Sequence, residues 1–298
     1  MSSKKFAPNV IRRTLAGASV VLMGITLAAC TSAVNDTNSG PSPLEALQER
    51  GYLLYGFNGE RPYNWMDESG EIVGSEIEIA RAVASELGIE NVQGVAMNFD
   101  SFIPALQGGL VDTVMPIFVK PERCESLPFS EPHLIEGQSI IVPRGNPENI
   151  TSWESIRENE NVIGVIAGTT PDSFAVEYGI PESKIVRFGD TTNMRAGMQA
   201  GRVDAIIEAS STIREIANSI GDDFERLEEW VAPEGYSFDF YAAFAFRPGA
   251  DDIAEAWNEA LMKLLADGTI NEITKPYGFS AADRPNDDSL NLSELCAS

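Results

Sequence analysis

The sequence predicts an α/β protein of two lobes, each a mostly parallel sheet flanked by helices, joined by two hinge crossings. Three observations carry this. From Pro43 onward, short apolar runs alternate with segments of helical period. A six-residue pattern occurs twice, as Gln107-Gly108-Gly109-Leu110-Val111-Asp112 and as Gln199-Ala200-Gly201-Arg202-Val203-Asp204, each time with a helix stopping at glycine and a strand following the aspartate. The 298 residues are also too many for one small core and too few for three domains.

Tyr52–Phe57 reads as the first strand. Residues 76–87 follow as a helix, with Ile79, Val83 and Leu87 on one face and Gly88 as its C-cap. Asp100 is the expected N-cap of a helix that runs through Phe102 and Leu106 to Gly108-Gly109 and leads into a strand over 111–117. A strand near 138–142 opens the second set of elements. There Thr151-Ser152-Trp153-Glu154 reads as a capping box opening a helix, and 162–166 as a strand. Met194 and Met198, one helical turn apart, read as core. Between 236 and 246 the even positions are Tyr236, Phe238, Phe240, Ala242, Phe244 and Phe246, a period of two long enough to cross between lobes. The helix 252–266, with Trp257, Leu261, Leu264 and Leu265 on one face, then belongs to the first lobe again. Crossings near 138–145 and 237–247 make a hinge, and a hinge between lobes makes a cleft.

With 43% apolar and 22% charged residues the chain is composed like a globular protein. Lys+Arg 21 against Asp+Glu 45 gives a net charge of −24, and residues 1–29 carry four basic and no acidic residues, so the remainder stands at −28. That surface repels phosphate backbones, which argues against a nucleic-acid partner, and it stays soluble in high salt, where screening relieves self-repulsion. A single histidine, His133, removes the usual general base and most nitrogen-rich metal sites, so neither a metal nor a cofactor is expected.

Residues 1–29 read as a lipoprotein signal peptide: Lys4, Lys5, Arg12 and Arg13, a run of weakly polar residues from Thr14, then Leu27-Ala28-Ala29-Cys30. Arg12-Arg13 leaves the general and twin-arginine export routes both open. Cys30 would carry lipid, and 30–43, rich in Ser, Thr, Asn, Gly and Pro, would be a flexible tether, so the mature protein is expected outside the cytoplasm, moored to a membrane by its anchor alone. Cys124 and Cys296 remain, an even pair in an oxidising compartment, and a disulfide between them is expected, two buried free thiols being the alternative. It would tie an acidic, low-complexity tail, 280–298, back to the body. The expected organisation is 1–29 signal peptide, 30–43 tether, 44–138 and 241–279 first lobe, 139–240 second lobe, and 280–298 tail.

Five segments stand in a telling order: Phe99-Asp100-Ser101-Phe102-Ile103-Pro104-Ala105-Leu106, Pro121-Glu122-Arg123, Phe129-Ser130-Glu131-Pro132, Gly168-Thr169-Thr170 and Gly201-Arg202-Val203-Asp204. In that order and spacing the chain resembles the solute-binding proteins of ABC importers of the polar amino-acid type, over Leu44 to about Phe279. Phe118 before Pro121-Glu122-Arg123-Cys124, Tyr241-Ala242-Ala243-Phe244-Ala245-Phe246 and the terminal Glu294-Leu295-Cys296 resemble, more narrowly, the ectoine- and hydroxyectoine-binding members. The resemblance implies a type II periplasmic binding protein fold, a monomer, a small zwitterionic ligand and the membrane subunits of an importer as partners.

It also implies a site. The arginine of the Pro-Glu-Arg segment clamps the ligand carboxylate in that family, which assigns Arg123, whose planar fork suits a carboxylate bidentately. Thr169 and Thr170 fall at the matching turn of the second lobe, where hydroxyls and backbone N–H groups at a helix start would meet the same anion. Binders of α-amino acids carry an aspartate five residues after that of Gly-Arg-x-Asp, and this chain has Ala209, preceded by Glu208; a serine or threonine five residues before the arginine is replaced by Phe118. Phe57, Tyr63, Phe99 and Phe118 stand at ligand-facing family positions with Glu60 in the first loop, a set suited to a cyclic amidinium bearing a carboxylate, as ectoine is. Trp65 and Tyr241 are outside candidates. A polar amino acid such as glutamine is the alternative ligand. The alternative from another class is a cyclohexadienyl-dehydratase-like enzyme on the same fold, with Glu60 or Glu208 as acid or base.

Overall fold

Leu53, Tyr55 and Phe57 take alternate positions along Tyr52–Phe57 and all are buried, so one face of this strand looks into a core. The strand is the middle of a parallel three-stranded sheet between Asn91–Ala96 and Thr113–Val114. The helices Ser75–Glu86 and Asp251–Ala266 add Ile77, Ile79, Val83, Trp257, Leu261 and Leu264 to the same core. This core draws on Leu47 through Leu134 and again on Ala242 through Leu295, hence on both ends of the chain. The computed structural model describes residues 40–286 and 289–297, so the expected signal peptide, the expected lipid site Cys30 and most of the expected tether lie outside the described residues. The expected tether is shorter at its other end: Ser42 caps the helix Pro43–Arg50 in a box with Glu45.

The second sheet has the order Ile185–Phe188, Ile163–Ile166, Ala205–Ala209, Gln138–Pro143, Phe224–Arg226. Gln138–Pro143, which arrives from the first lobe, runs against both its neighbours, and the other four run the same way. Each face carries its own core, with Trp153, Phe174 and Ile207 on one side and Phe188, Met194, Met198 and Ile206 on the other. Between the lobes, Leu134–Glu136 pairs antiparallel with Phe240–Ala243, which also pairs with Ile117–Phe118. The repeated pattern builds the same turn twice. Gly109 and Gly201 hold φ of 65° and 66°, and Leu110 N and Arg202 N each donate over 2.9 Å to a carbonyl five residues back.

Several local expectations change. The strand expected over 111–117 is two, Thr113–Val114 and Ile117–Phe118, separated at Pro116, which has no N–H for a ladder. The eleven-residue crossing strand is only Phe240–Ala243. Tyr236 and Phe238 leave it to meet the Phe174 ring of the second lobe at 5.0 and 6.2 Å, while Phe244 and Phe246 pack on Trp257 of the first, so one run of alternate aromatics serves two cores. Asp100 lies inside the 3₁₀ turn Phe99–Ser101 rather than capping a helix, and the capping box pairs Ser152 with Ser155. The tail is not featureless: Leu292–Ala297 is helical, Leu295 enters the first core, and Cys124 and Cys296 are bonded, with Cα atoms 5.7 Å apart. Among the described residues no helix is long and apolar enough to cross a membrane.

Candidate ligand-binding cleft

The cleft between the lobes is lined from the first lobe by Glu60, Tyr63, Glu76, Phe99 and Phe118, from the second by Thr169, Thr170, Glu208 and Ala209, and at the hinge by Glu136 and Ala242. It encloses about 470 Å³ of atom-free space, part of it open to solvent, a size that suits a small molecule. The lobes touch across it. Thr212 Oγ1 donates to Glu60 Oε1 over 2.6 Å, Arg123 Nη2 to Gly168 O over 3.2 Å, and Lys120 Nζ to Ser173 Oγ over 2.7 Å.

Arg123 follows Pro121-Glu122 in the single turn Pro121–Cys124. Its guanidinium touches two residues of the wall: Nη1 donates to the carbonyl of Phe118 over 2.8 Å, and its carbon lies 5.8 Å from the centre of the Phe99 ring. Burial lowers it to about 10, so it stays charged at neutral pH. The backbone bonds use two of its five N–H donors.

Facing it, the helix Thr170–Glu177 starts with Thr169 as N-cap. Thr169 Oγ1 donates to Ile166 O over 2.8 Å, whereas Thr170 Oγ1 is buried without a protein partner. Of the backbone donors expected at this helix start, Gly168 N is already taken by Asp172 Oδ2 over 2.9 Å.

The cleft's character comes from carboxyl groups. Glu60 accepts from Thr212 at Oε1 and from Asn58 Nδ2 at Oε2, over 2.6 and 2.9 Å, and each oxygen keeps a lone pair free. Glu208 Oε1 accepts from Ala209 N over 3.0 Å, and its Oε2 is buried with no protein partner. Burial raises both groups, and the charge of Glu60 raises Glu208 further. Glu136 accepts from Tyr63 Oη over 3.1 Å and from Ser211 Oγ over 2.5 Å, and burial pushes it up to about 7. Glu76 lies 2.7 Å from His133 Nε2, a fully buried pair outside the cavity on the histidine side. The upward shifts of Glu60, Glu136 and Glu208 come first from burial, in a region where perturbed carboxyl groups gather.

Of the residues singled out in the sequence, Glu60, Tyr63, Phe99, Phe118, Thr169 and Thr170 come together on the cavity wall; Arg123 is not on the wall itself but bonds the carbonyls of Phe118 and Gly168 beside it. Phe57 does not join them. It continues the core face of Leu53 and Tyr55, so its ring is turned into the first lobe, against Gly94. Trp65 and Tyr241 are also absent from the wall. Glu136 was not singled out, although Leu134 and Glu136, two apart on a strand and both buried, carry the pattern of a polar residue on an apolar face.

The bacterial extracellular solute-binding proteins, family 3, match over residues 53–280. A "Probable amino-acid ABC transporter periplasmic-binding protein" of Sinorhizobium fredii is 30% identical over 280 residues, covering 92% of this chain and 91% of that one. The crystal structure of EhuB in complex with hydroxyectoine superposes with a TM-score of 0.79 at 28% identity, covering 86% of this chain and 98% of that one. An ancestral amino acid-binding protein, a precursor of cyclohexadienyl dehydratase, superposes at 0.70 with 28% identity, covering 79% and 99%.

Proposed function

We propose, since this chain belongs to family 3 of the bacterial extracellular solute-binding proteins, that its cleft captures a zwitterion with a delocalised positive charge, ectoine or hydroxyectoine. The broader role is that of the family and the relatives: a solute-binding protein of an ABC importer for amino acids or related solutes, with a two-lobed type II periplasmic binding protein fold. The observation that carries the ligand reading is that Glu60, Tyr63, Phe99, Phe118 and Thr170 line one cavity, with the Arg123 guanidinium against two of them, 5.8 Å from the Phe99 ring and bonded to Phe118 O. An amidinium between aromatic faces gains about 0.5–2 kcal/mol per ring once water is excluded, and Glu60 accepts its N–H groups. The carboxylate of the same ligand meets the Arg123 fork and the start of the helix Thr170–Glu177. The solute-bearing closed form is what the membrane subunits receive, and the chain acts as a monomer held to the membrane by lipid on Cys30.

One observation favours a second reading. Glu208 Oε2, buried and without a protein partner, lies one residue before the position where α-amino-acid binders hold their aspartate, and it would accept from an α-ammonium. Titration calorimetry of the protein with ectoine, hydroxyectoine, glutamine and histidine, at low and high salt, separates the two. Heat from the ectoines with silent amino acids supports the first reading; heat from an α-amino acid alone overturns it and leaves the Glu208 reading. The dehydratase-like alternative requires turnover of a carboxylate ligand, which product analysis of the same mixtures detects.

A further inference from the structure

Glu136 ends Leu134–Glu136, the strand by which the chain leaves the first lobe, and only Gly137 separates it from Gln138–Pro143, which enters the second. Its carboxyl group is held by both lobes at once. Tyr63 Oη, from the first, and Ser211 Oγ, from the second, donate to the same oxygen over 3.1 and 2.5 Å, and Ser211 N approaches the other at 3.4 Å. Arg214 donates to Ser211 Oγ over 3.2 Å, so its charge reaches Glu136 through that hydroxyl. Arg284 acts from farther off. The other charged groups that line the cavity, Glu60, Glu208 and Glu76, are all carboxyl groups and put no positive charge beside it.

We propose that Glu136 is a hinge gate that, ionised, holds the lobes apart until a cationic group enters the cleft and, neutral, lets them close without one. With the lobes apart, Tyr63 and the first-lobe wall draw away and water solvates the carboxylate, while Ser211 stays beside the hinge through Ser210 N, which donates to Gly137 O over 2.9 Å. Closing removes that water, and a buried carboxylate without a partner charge is costly. The proposal rests on the reading of the ligand as carrying a positive charge, because only a cation in the cleft replaces the lost solvation of the ionised form.

The sign follows from burial. The carboxyl stands at about 7 in this closed arrangement against an ordinary value of 4.5, so closure of the empty protein takes up a proton and is favoured as pH falls. Between pH 6 and pH 8 the ratio of closed to open empty protein falls about tenfold for one such group. A cation in the cleft favours the carboxylate, and closure around it loses this dependence.

The test is the closed fraction of the ligand-free protein from pH 5.5 to pH 8.5, followed by small-angle scattering and by energy transfer between labels on the two lobes. The wild type shows the tenfold fall, Glu136→Gln changes less than about threefold, and saturating ectoine removes the step from the wild type. Ser211→Ala removes a donor that favours the ionised form, so it moves the midpoint to higher pH, an outcome that stands even if Glu136→Gln folds poorly. A flat wild-type profile, or the same step in Glu136→Gln, overturns the gate. The empty-protein arm needs no ligand, so a failed ectoine titration removes the ligand reading without deciding the gate.

Discussion

Asp112 and Asp204 do the same work in different lobes. Asp112 Oδ2 accepts from Leu54 N over 2.8 Å and Asp204 Oδ2 from Val162 N over 2.7 Å, each carboxylate tying the entry of its own strand to the neighbouring one. Asp112 also meets Arg50 and, at 3.6 Å, Arg247, while Asp204 makes no ion pair among the described residues. Asp204→Asn is therefore expected to cost under about 1 kcal/mol and Asp112→Asn about 1–3 kcal/mol. Urea unfolding of both variants checks the order.

Arg123→Ala removes the guanidinium that spans Phe118 O and Gly168 O and that the proposed function assigns to the ligand carboxylate. Charge-assisted hydrogen bonds contribute about 1.5–3 kcal/mol each, so the loss in affinity should be about a hundredfold or more. Arg123→Lys should recover only a small part, because an ammonium cannot match the planar fork. Calorimetry with the wild-type ligand decides.

Phe118→Ser restores the hydroxyl that α-amino-acid binders commonly carry and removes one aromatic face from the wall. Ectoine affinity should fall by roughly 3- to 30-fold, the range one cation–π contact covers, with a smaller change for any α-amino acid. Equal losses for both ligands would remove the aromatic argument.

Much of this wall was legible because its residues sit in short motifs with local meaning, the Gly-Thr-Thr helix start and the first loop with Glu60 and Tyr63, while the Pro-Glu-Arg turn only touches it through Phe118 and Phe99. Phe57 was misplaced because a motif position says nothing about strand parity, which puts it on the core side with Leu53 and Tyr55. Glu136 escaped notice because its importance depends on which lobes flank it in space, and Tyr63 and Ser211 are 73 and 75 residues away along the chain. The long crossing strand failed for a related reason. A period of two records alternating burial, and here the burial is against two bodies in turn.

Glu60, Glu136 and Glu208 all have their carboxyl groups raised in the folded protein. Groups raised in this way bind protons more tightly folded than unfolded. The stability they contribute is complete below their unfolded value and is lost as pH rises through the folded one, which for Glu136 is about 7. The melting temperature of the ligand-free protein should therefore fall between pH 5 and pH 8, and a bound cationic ligand should flatten that fall. A scanning-calorimetry series with and without ligand measures it.

The bond between Cys124 and Cys296 closes a loop of 172 residues, for which the chain-entropy model gives about 5 kcal/mol, against about 2–4 kcal/mol for a typical bridge. Cys124 directly follows Arg123, so reduction, or Cys296→Ser, should lower the melting temperature and also weaken ligand binding, by releasing the helix Leu292–Ala297 from the turn that carries the arginine. Unchanged affinity with a lowered melting temperature would confine the bond to stability.

The first core needs Leu47 and Leu295 together, whereas the buried residues of the second lobe's two cores run only from Ile140 to Trp230, with Phe238 and Phe99 packed against them. A chain that emerges from a narrow pore with its N-terminus leading therefore presents a complete second-lobe nucleus while the first lobe is still missing its last helices. Its early residues must wait, apolar and unpaired, for the final stretch to arrive. Premature termination near the end spares the lobe made in the middle and ruins the one begun first.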